Sequence, residues 1–248
     1  MSWEPPSSLE ERLKRSLIPP RWELARIVRR ELKKGEPELR LVPFLAQPDR
    51  IALDIGANRG IWTHVLSRHV PKVIAFEPNP KMYRILAAAL PDNAEARQIA
   101  LSDCAGTAML EVPQRNGGWS NQHASLNPHR NEGLDVGKVE VEMCPLNSLD
   151  LPPVGFIKID VEGHEKAVIA GAKGLIERDK PRLIVELEER HIGQPIREAV
   201  AEIEALGYEA FFLRAGALQR ISEFVPERDH LGVEDTPVYV NNFIFLPR

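Results

Sequence analysis

The chain is 248 residues long, 43% hydrophobic and 27% charged, with a formal net charge of −4. It is long enough for one large globular domain, or one domain carrying a helical appendage, and its acidic balance argues against wholesale nucleic-acid binding. Two cysteines, Cys104 and Cys144, exclude a disulfide framework and a metal knuckle, and the short, charge-broken apolar runs behind a non-basic start (Met1-Ser2-Trp3-Glu4-Pro5-Pro6) lead us to expect a soluble, unexported, cytoplasmic protein.

Residues 1–46 read as an N-terminal helical extension, two or three short helices punctuated by Pro19-Pro20, Gly35-Glu36-Pro37 and Pro43. Residues 11–40 hold ten Lys/Arg against five Glu, a local balance of +5 that leaves −9 for the remainder. Arg26, Arg29, Arg30, Lys33 and Lys34 are interleaved with apolar Leu24, Ile27, Val28 and Leu32. The stretch therefore reads first as a solvated helix face, with an anionic substrate or a membrane surface as the partners its charge would suit.

The main domain is expected over 47–248. Strand-like runs at 51–55, 73–76, 96–101, 156–161 and 183–187 alternate with helical patterns, which gives βαβ units and a mainly parallel sheet. Runs at 208–213 and 238–246 follow one more helix and read as a closing antiparallel hairpin, so that the α/β sheet has seven strands. Between Thr107 and Cys144 two alternating runs flank a polar loop, a β-insertion placed to cover a site.

The most informative segment is Leu53-Asp54-Ile55-Gly56-Ala57-Asn58-Arg59-Gly60, where the first strand turns into a helix. In an open parallel sheet ligands bind at that edge. Gly56 and Gly60 let the backbone turn tightly and approach a ligand, since a side chain there would fill cofactor space. A dinucleotide loop would carry G-x-G-x-x-G; here Asn58 takes the middle place and Asp54 precedes the loop, which suits a cationic, phosphate-free ligand. The second strand ends in Phe76-Glu77-Pro78, an acid placed to accept hydrogen bonds from both hydroxyls of a ribose. Together the two segments indicate an adenosine cofactor. At the next strand end, Ser102 and Asp103 either meet the adenine amino group or cap a turn.

A second strand ends in Lys158-Ile159-Asp160-Val161-Glu162-Gly163-His164-Glu165. With the glycine loop and Phe-Glu-Pro, this run makes the chain resemble the FkbM family of methyltransferases over about Ile51 to Glu188. The resemblance implies a Rossmann-like class I fold, S-adenosylmethionine as cofactor with S-adenosylhomocysteine (SAH) as product, and O-methylation of a sugar, glycolipid or polyketide-type acceptor. It assigns Asp54, Gly56, Asn58 and Gly60 to the methionine and ribose side, Glu77 with Pro78 to the ribose, Ser102 to the adenine edge, and Asp160 to the methyl-transfer edge.

An alcohol needs a base as the new bond forms, and an imidazole with an unperturbed pKa of about 6.5 suits His164 to the task. Asp160 and Glu162 are the rival bases, or they orient His164. Glu186 and Glu188, on one side of the next strand by alternation, either bind the acceptor, assist Asp160, or hold a divalent metal with Asp160 and Glu162 if the two strand ends adjoin. No metal is assigned. In the insertion, residues 116–125 offer Trp119 and several amides to a sugar-like acceptor, or form an idle exposed loop. A homo-oligomer is compatible with the sequence. The rival readings are a catalytically idle binding module of the same fold and an N-methyltransferase.

Overall fold

The computed structural model describes residues 3–6, 11, 17–115, 117–234 and 236–248, with the backbone alone at 128 and 129. Its first long element is α1 (Pro20–Lys34), opened by a proline whose missing N–H costs nothing at a helix start. Leu24 and Val28 turn inward. A short 3₁₀ segment (Pro37–Leu41) and α2 (Val42–Leu45) follow. The expected extension up to residue 19 lies largely outside the described residues.

The sheet is built from β1 (Ile51–Ile55), β2 (Val73–Phe76), β3 (Ala94–Arg97), β8 (Val154–Ile159), β9 (Arg182–Glu186), β10 (Tyr208–Arg214), β11 (Ala217–Arg220) and β12 (Asn242–Pro247). Their order is β11-β10-β12-β9-β8-β1-β2-β3. The strands from β9 to β3 are parallel, and β12 runs antiparallel between β9 and β10. Every residue of β1, β2 and β8 is buried, because helices cover both faces. On one face, α5 (Glu165–Asp179) and α6 (Ile196–Glu204) pack Val168, Ile176, Val200 and Ile203 onto Leu53, Ile157 and Leu183. On the other, Leu24, Val28 and Leu39 join Trp62 and Leu66 of α3 (Ile61–Leu66) over Ala52, Phe156 and Ile184. The N-terminal segment is thus part of the core on that face, packed against α3 and α4 (Pro80–Ala89).

The expected mainly parallel α/β sheet with an antiparallel β10–β12 pair is present, with three corrections. The run 96–101 is not one strand: β3 stops at Arg97, and β4 (Ala100–Leu101) pairs with the insertion instead. An eighth strand, β11, joins β10 through Ala215 and Gly216, both at positive φ, a tight hairpin turn. The last strand begins at Asn242, not Val238. The insertion is a long hairpin of β5 (Gly106–Arg115) and β7 (Val136–Cys144), with β6 (Gly118–Trp119) on its edge, in a separate sheet of order β4-β7-β5-β6. Among the described residues no helix is long and apolar enough to cross a membrane.

Candidate active site

A cleft of about 250 Å³ runs along the carboxyl ends of β1, β2, β8 and β9, roofed by the insertion. Its floor is the loop after β1. Asp54 is buried and accepts a 2.5 Å hydrogen bond from Thr63 Oγ1, and burial pushes its carboxyl up to about 6. Asn58 holds φ +49°, and its N–H donates to Glu77 Oε2 at 2.7 Å. Glu77 Oε1 accepts from Asn79 N at 2.9 Å, and burial raises this carboxyl to about 7. A carboxylate offers about four lone pairs, so two acceptor positions remain beyond those the backbone uses.

Beyond Glu77 the walls become apolar: Pro78, Ile99, Leu101, Leu110 and Leu126 border the cleft. Asn79 caps α4 and donates to Asn121 Oδ1 at 3.0 Å, which ties the roof to the floor. Ser125 Oγ donates to the Glu162 carbonyl at 2.6 Å, and Arg130 Nη2 to the Glu162 carboxylate at 2.8 Å. Glu162 itself sits at φ +54°, with burial raising it to about 7 against the pull of Arg130.

The opposite end is acidic. Asp160, Glu186 and Glu36 border the cleft there, with Trp62 among them. Below them lies Lys158, 0% exposed, its Nζ 3.8 Å from Asp160 Oδ2 and 3.8 Å from Glu186 Oε2. Lys158 donates to Asn242 Oδ1 at 2.8 Å and stands 5.4 Å over the Trp62 ring. Burial works against this ammonium, but Asp160, Glu36, Glu186 and Glu38 together hold it above its usual range. Burial likewise raises Glu186 and Glu36, opposed by Lys158. Trp62 Nε1 donates to Glu36 Oε2 at 3.0 Å.

A glycine-turn floor, an acid with spare acceptors at the next strand end, an apolar slot and an acidic far end are the parts that an adenosine-bearing sulfonium requires. The family model for the methyltransferase FkbM domain matches residues 54–210, which contain all of them except Glu36 and Asn242. The chain belongs to the FkbM methyltransferase family. It is an S-adenosylmethionine-dependent methyltransferase, built on the mainly parallel α/β sheet described above. The sequence matches no curated protein. Among solved structures, an FkbM methyltransferase from Methylobacillus flagellatus KT is similar at 14% identity and TM-score 0.49, over 92% of this chain and 58% of that one. A putative methyltransferase from Streptococcus mutans in complex with SAH is similar at 11% identity and TM-score 0.49, over 85% and 96% of the two chains. An O-methyltransferase from Bacillus cereus in complex with SAH is similar at 15% identity and TM-score 0.47, over 96% and 95%.

Of the residues singled out in the methyltransferase sequence, Asp54, Gly56, Asn58, Glu77, Pro78, Asp160, Glu162 and His164 border the cleft; Gly60 and Ser102 do not. Both glycines make the tight turn expected of them, at positive φ, and the room a side chain would need there is taken up by protein. A Cβ on Gly56, at φ +81°, would lie 1.7 Å from the Asp160 carbonyl oxygen, and one on Gly60, at φ +85°, would lie 2.6 Å from Leu86 Cδ1. Both would meet protein before any ligand. Ser102 is buried behind the wall, its Oγ 3.0 Å from His164 Nε2. His164 therefore faces the β4 end, and burial lowers its pKa against the opposing pull of Asp103. Asp160 and Glu186 do adjoin, but Glu188 turns to Arg190 and His191, because β9 ends at Glu186 and the alternation stops there. Among the described residues no group of three or more His, Cys, Asp or Glu side chains is arranged to hold a metal ion. Trp119 meets Trp3 edge-on at 4.8 Å and does not border the cleft, where Asn121 and Gln122 do; Asn116 lies outside the described residues.

Glu36, Trp62, Lys158 and Arg130 were not anticipated in the methyltransferase site. Lys158 carried a signal: a charge inside the otherwise apolar run Phe156-Ile157-Lys158-Ile159 of a buried strand must find counter-charges. Trp62 follows Gly60 in the first turn of α3, the helix end that faces a ligand at this sheet edge. Glu36 and Arg130 carried none.

Proposed function

We propose that this methyltransferase acts on a hydroxyl oxygen of a small polyhydroxylated acceptor, of the sugar, glycolipid or polyketide type, with the Asp160/Glu186 pair beside the reacting oxygen. The observation that carries the reading is the buried Lys158 ammonium, 3.8 Å from each of those two carboxylates at the acidic end of the cleft. S-Adenosylmethionine supplies a methyl group already made electrophilic by its sulfonium, so the protein's task is alignment and proton removal.

The residues present fit that cofactor. Glu77 has two free acceptor positions for ribose hydroxyls, the Ile99, Leu101 and Leu110 side chains offer an apolar slot for the adenine, and Asp54 and Asp160 supply counter-charge to the cationic end. Glu186, which burial and Asp160 hold above the ordinary carboxylate range against the pull of Lys158, borders the cleft where it can accept a hydroxyl proton as the oxygen attacks. Lys158 offsets the charge that Asp160 and Glu186 share. Glu36 and the Trp62 ring, joined by their own hydrogen bond, give the acceptor's other hydroxyls an acceptor group and an apolar face. His164, bonded to Ser102, orders the adenine side.

The test is methyl transfer from labelled S-adenosylmethionine to a panel of sugars, glycolipids and phenolic polyketides. Glu186→Gln is expected to lower kcat on the order of 10²-fold while SAH binding persists. Unchanged kcat in that variant, or a larger loss in His164→Ala, would assign the base elsewhere; SAH binding with no turnover on any acceptor would favour the idle module.

A further inference from the structure

The N-terminal helix has a second face. Between residues 17 and 40 every exposed charged side chain is basic, while Glu23, Glu31, Glu36 and Glu38 are all half-buried or buried. On α1 the exposed charges are Arg21, Arg26, Arg29, Arg30, Lys33 and Lys34. Arg21 pairs with Asp92 at 2.8 Å and Arg30 lies 3.5 Å from Glu31, but the other four have no ion pair among the described residues. Trp22 is 75% exposed at the N-terminal end of this face, and Leu17, just ahead of the helix, is 79% exposed.

Helical geometry sorts these residues into one ridge. At about 100° per residue, Trp22, Arg26, Arg29 and Lys33 follow at spacings of four, three and four and share a stripe opposite the Leu24 and Val28 anchors. A solvated face has no use for an indole exposed to that degree, and an apolar protein groove would leave the neighbouring arginines unpaired. A row of cations led by one amphipathic ring suits a surface that is anionic at the headgroups and apolar just beneath.

We propose that the exposed face of α1 docks the enzyme onto an anionic phospholipid surface, with Trp22 entering the headgroup layer. The helix ends at Gly35, and the next residue, Glu36, borders the acidic end of the catalytic cleft. Docking by α1 would therefore hold the acceptor end of the cleft within a few residues of the membrane, where a lipid-borne hydroxyl would be found. The surface binding itself does not depend on the acceptor reading.

Co-sedimentation of the full chain with phosphatidylcholine vesicles, with and without phosphatidylglycerol, tests the idea. Binding is expected only to the anionic vesicles and is expected to weaken as salt is raised. Each basic residue at such a surface strengthens binding roughly fivefold, so Arg26→Glu/Arg29→Glu/Lys33→Glu should lose on the order of a hundredfold or more. Trp22→Ala should lose several-fold with the charge intact. Lys166→Glu/Lys173→Glu, on exposed α5 positions, reverses two charges against the three on α1 and should leave binding unaltered. No binding to anionic vesicles, or equal losses in the two charge-reversal variants, would overturn the proposal. So would binding of a mixed-sequence RNA through the same arginines without any vesicle binding, which would make the ridge a nucleic-acid surface.

Discussion

The backbone N–H of Asn58 donates to Glu77 Oε2 at 2.7 Å, so the acid at the end of β2 holds the glycine loop after β1 in place. The same carboxylate keeps two acceptor positions beyond those bonds, the ones proposed above for a ribose. On that proposal loop geometry and cofactor binding share one side chain, and they should fail together.

Glu77→Ala removes the acceptor for two backbone donors as well as the ribose contacts. Hydrogen bonds to a charged group contribute about 1.5–3 kcal/mol, so SAH affinity should drop roughly ten- to a hundredfold in calorimetric titration. The melting temperature should fall too, since Asn58 and Asn79 lose their partner. Wild-type affinity in the variant would remove Glu77 from the cofactor site.

Lys158→Met takes away the only cation within 4 Å of Asp160 and Glu186 among the described residues. Breaking a buried pair by deleting one partner costs about 3–5 kcal/mol. The loss should be greatest at alkaline pH and should shrink as the medium is acidified, because the stranded Glu186 carboxylate then protonates. Lys158→Met/Glu186→Gln should be more stable than Lys158→Met alone in urea denaturation. If the double variant is no more stable, the lysine is held by packing rather than by charge.

What was legible in the sequence was whatever a short segment decides for itself. Asp54, Glu77 and Asp160 sit where strand ends meet the edge of a parallel sheet, and their order along the chain follows from βαβ connectivity. Glu36 was illegible because its place depends on α1 docking across α3 and α4, a long-range packing event that no local pattern encodes. The split at Arg97 was hidden for a related reason. Residues 96–101 are continuously strand-compatible, and only the pairing of Ala100 with Met143 pulls the second half into another sheet. Likewise β11 is short and exposed, with no apolar alternation to betray it. The glycine loop was read in the right place with an incomplete reason, since the space a side chain would take at Gly56 belongs to Asp160.

The buried acids give the cofactor-free enzyme a definite pH response. Burial holds Glu38, Glu77, Glu162 and Glu165 at about 7 and Asp54 at about 6. In the unfolded chain such groups titrate at about 4. The folded state therefore keeps protons that the unfolded chain has released, a contribution fully present below pH of about 4 and lost as pH rises through about 7. Histidines with lowered pKa values, His164 and His191 among them, act only below their unfolded value of about 6.5. Between about pH 6.5 and 8 the acids alone remain, and the melting temperature should decline. Saturating S-adenosylmethionine should flatten that decline, because a bound cation favours the carboxylate forms. A melting temperature that rises across this interval without cofactor would contradict the burial of these acids.

The two turn glycines should differ in how much they tolerate. At Gly56 an added methyl meets the Asp160 backbone oxygen at 1.7 Å, so β1 and β8 must move apart at the catalytic edge. At Gly60 the obstacle, at 2.6 Å, is the tip of the Leu86 side chain, which can turn aside. Each substitution also places alanine in the left-handed region, at about 1–2 kcal/mol. Gly56→Ala adds an overpacking cost of about 1–3 kcal/mol that no rotamer change relieves. Gly60→Ala should therefore fold with a modest loss and keep its SAH affinity within a few-fold, since Gly60 does not border the cleft. Gly56→Ala should lose more stability and, by displacing Asp160, methyl transfer as well. Denaturant unfolding and turnover measured on both variants decide it, and a Gly60→Ala enzyme impaired as severely as Gly56→Ala would mean that the loop needs both glycines for the ligand after all.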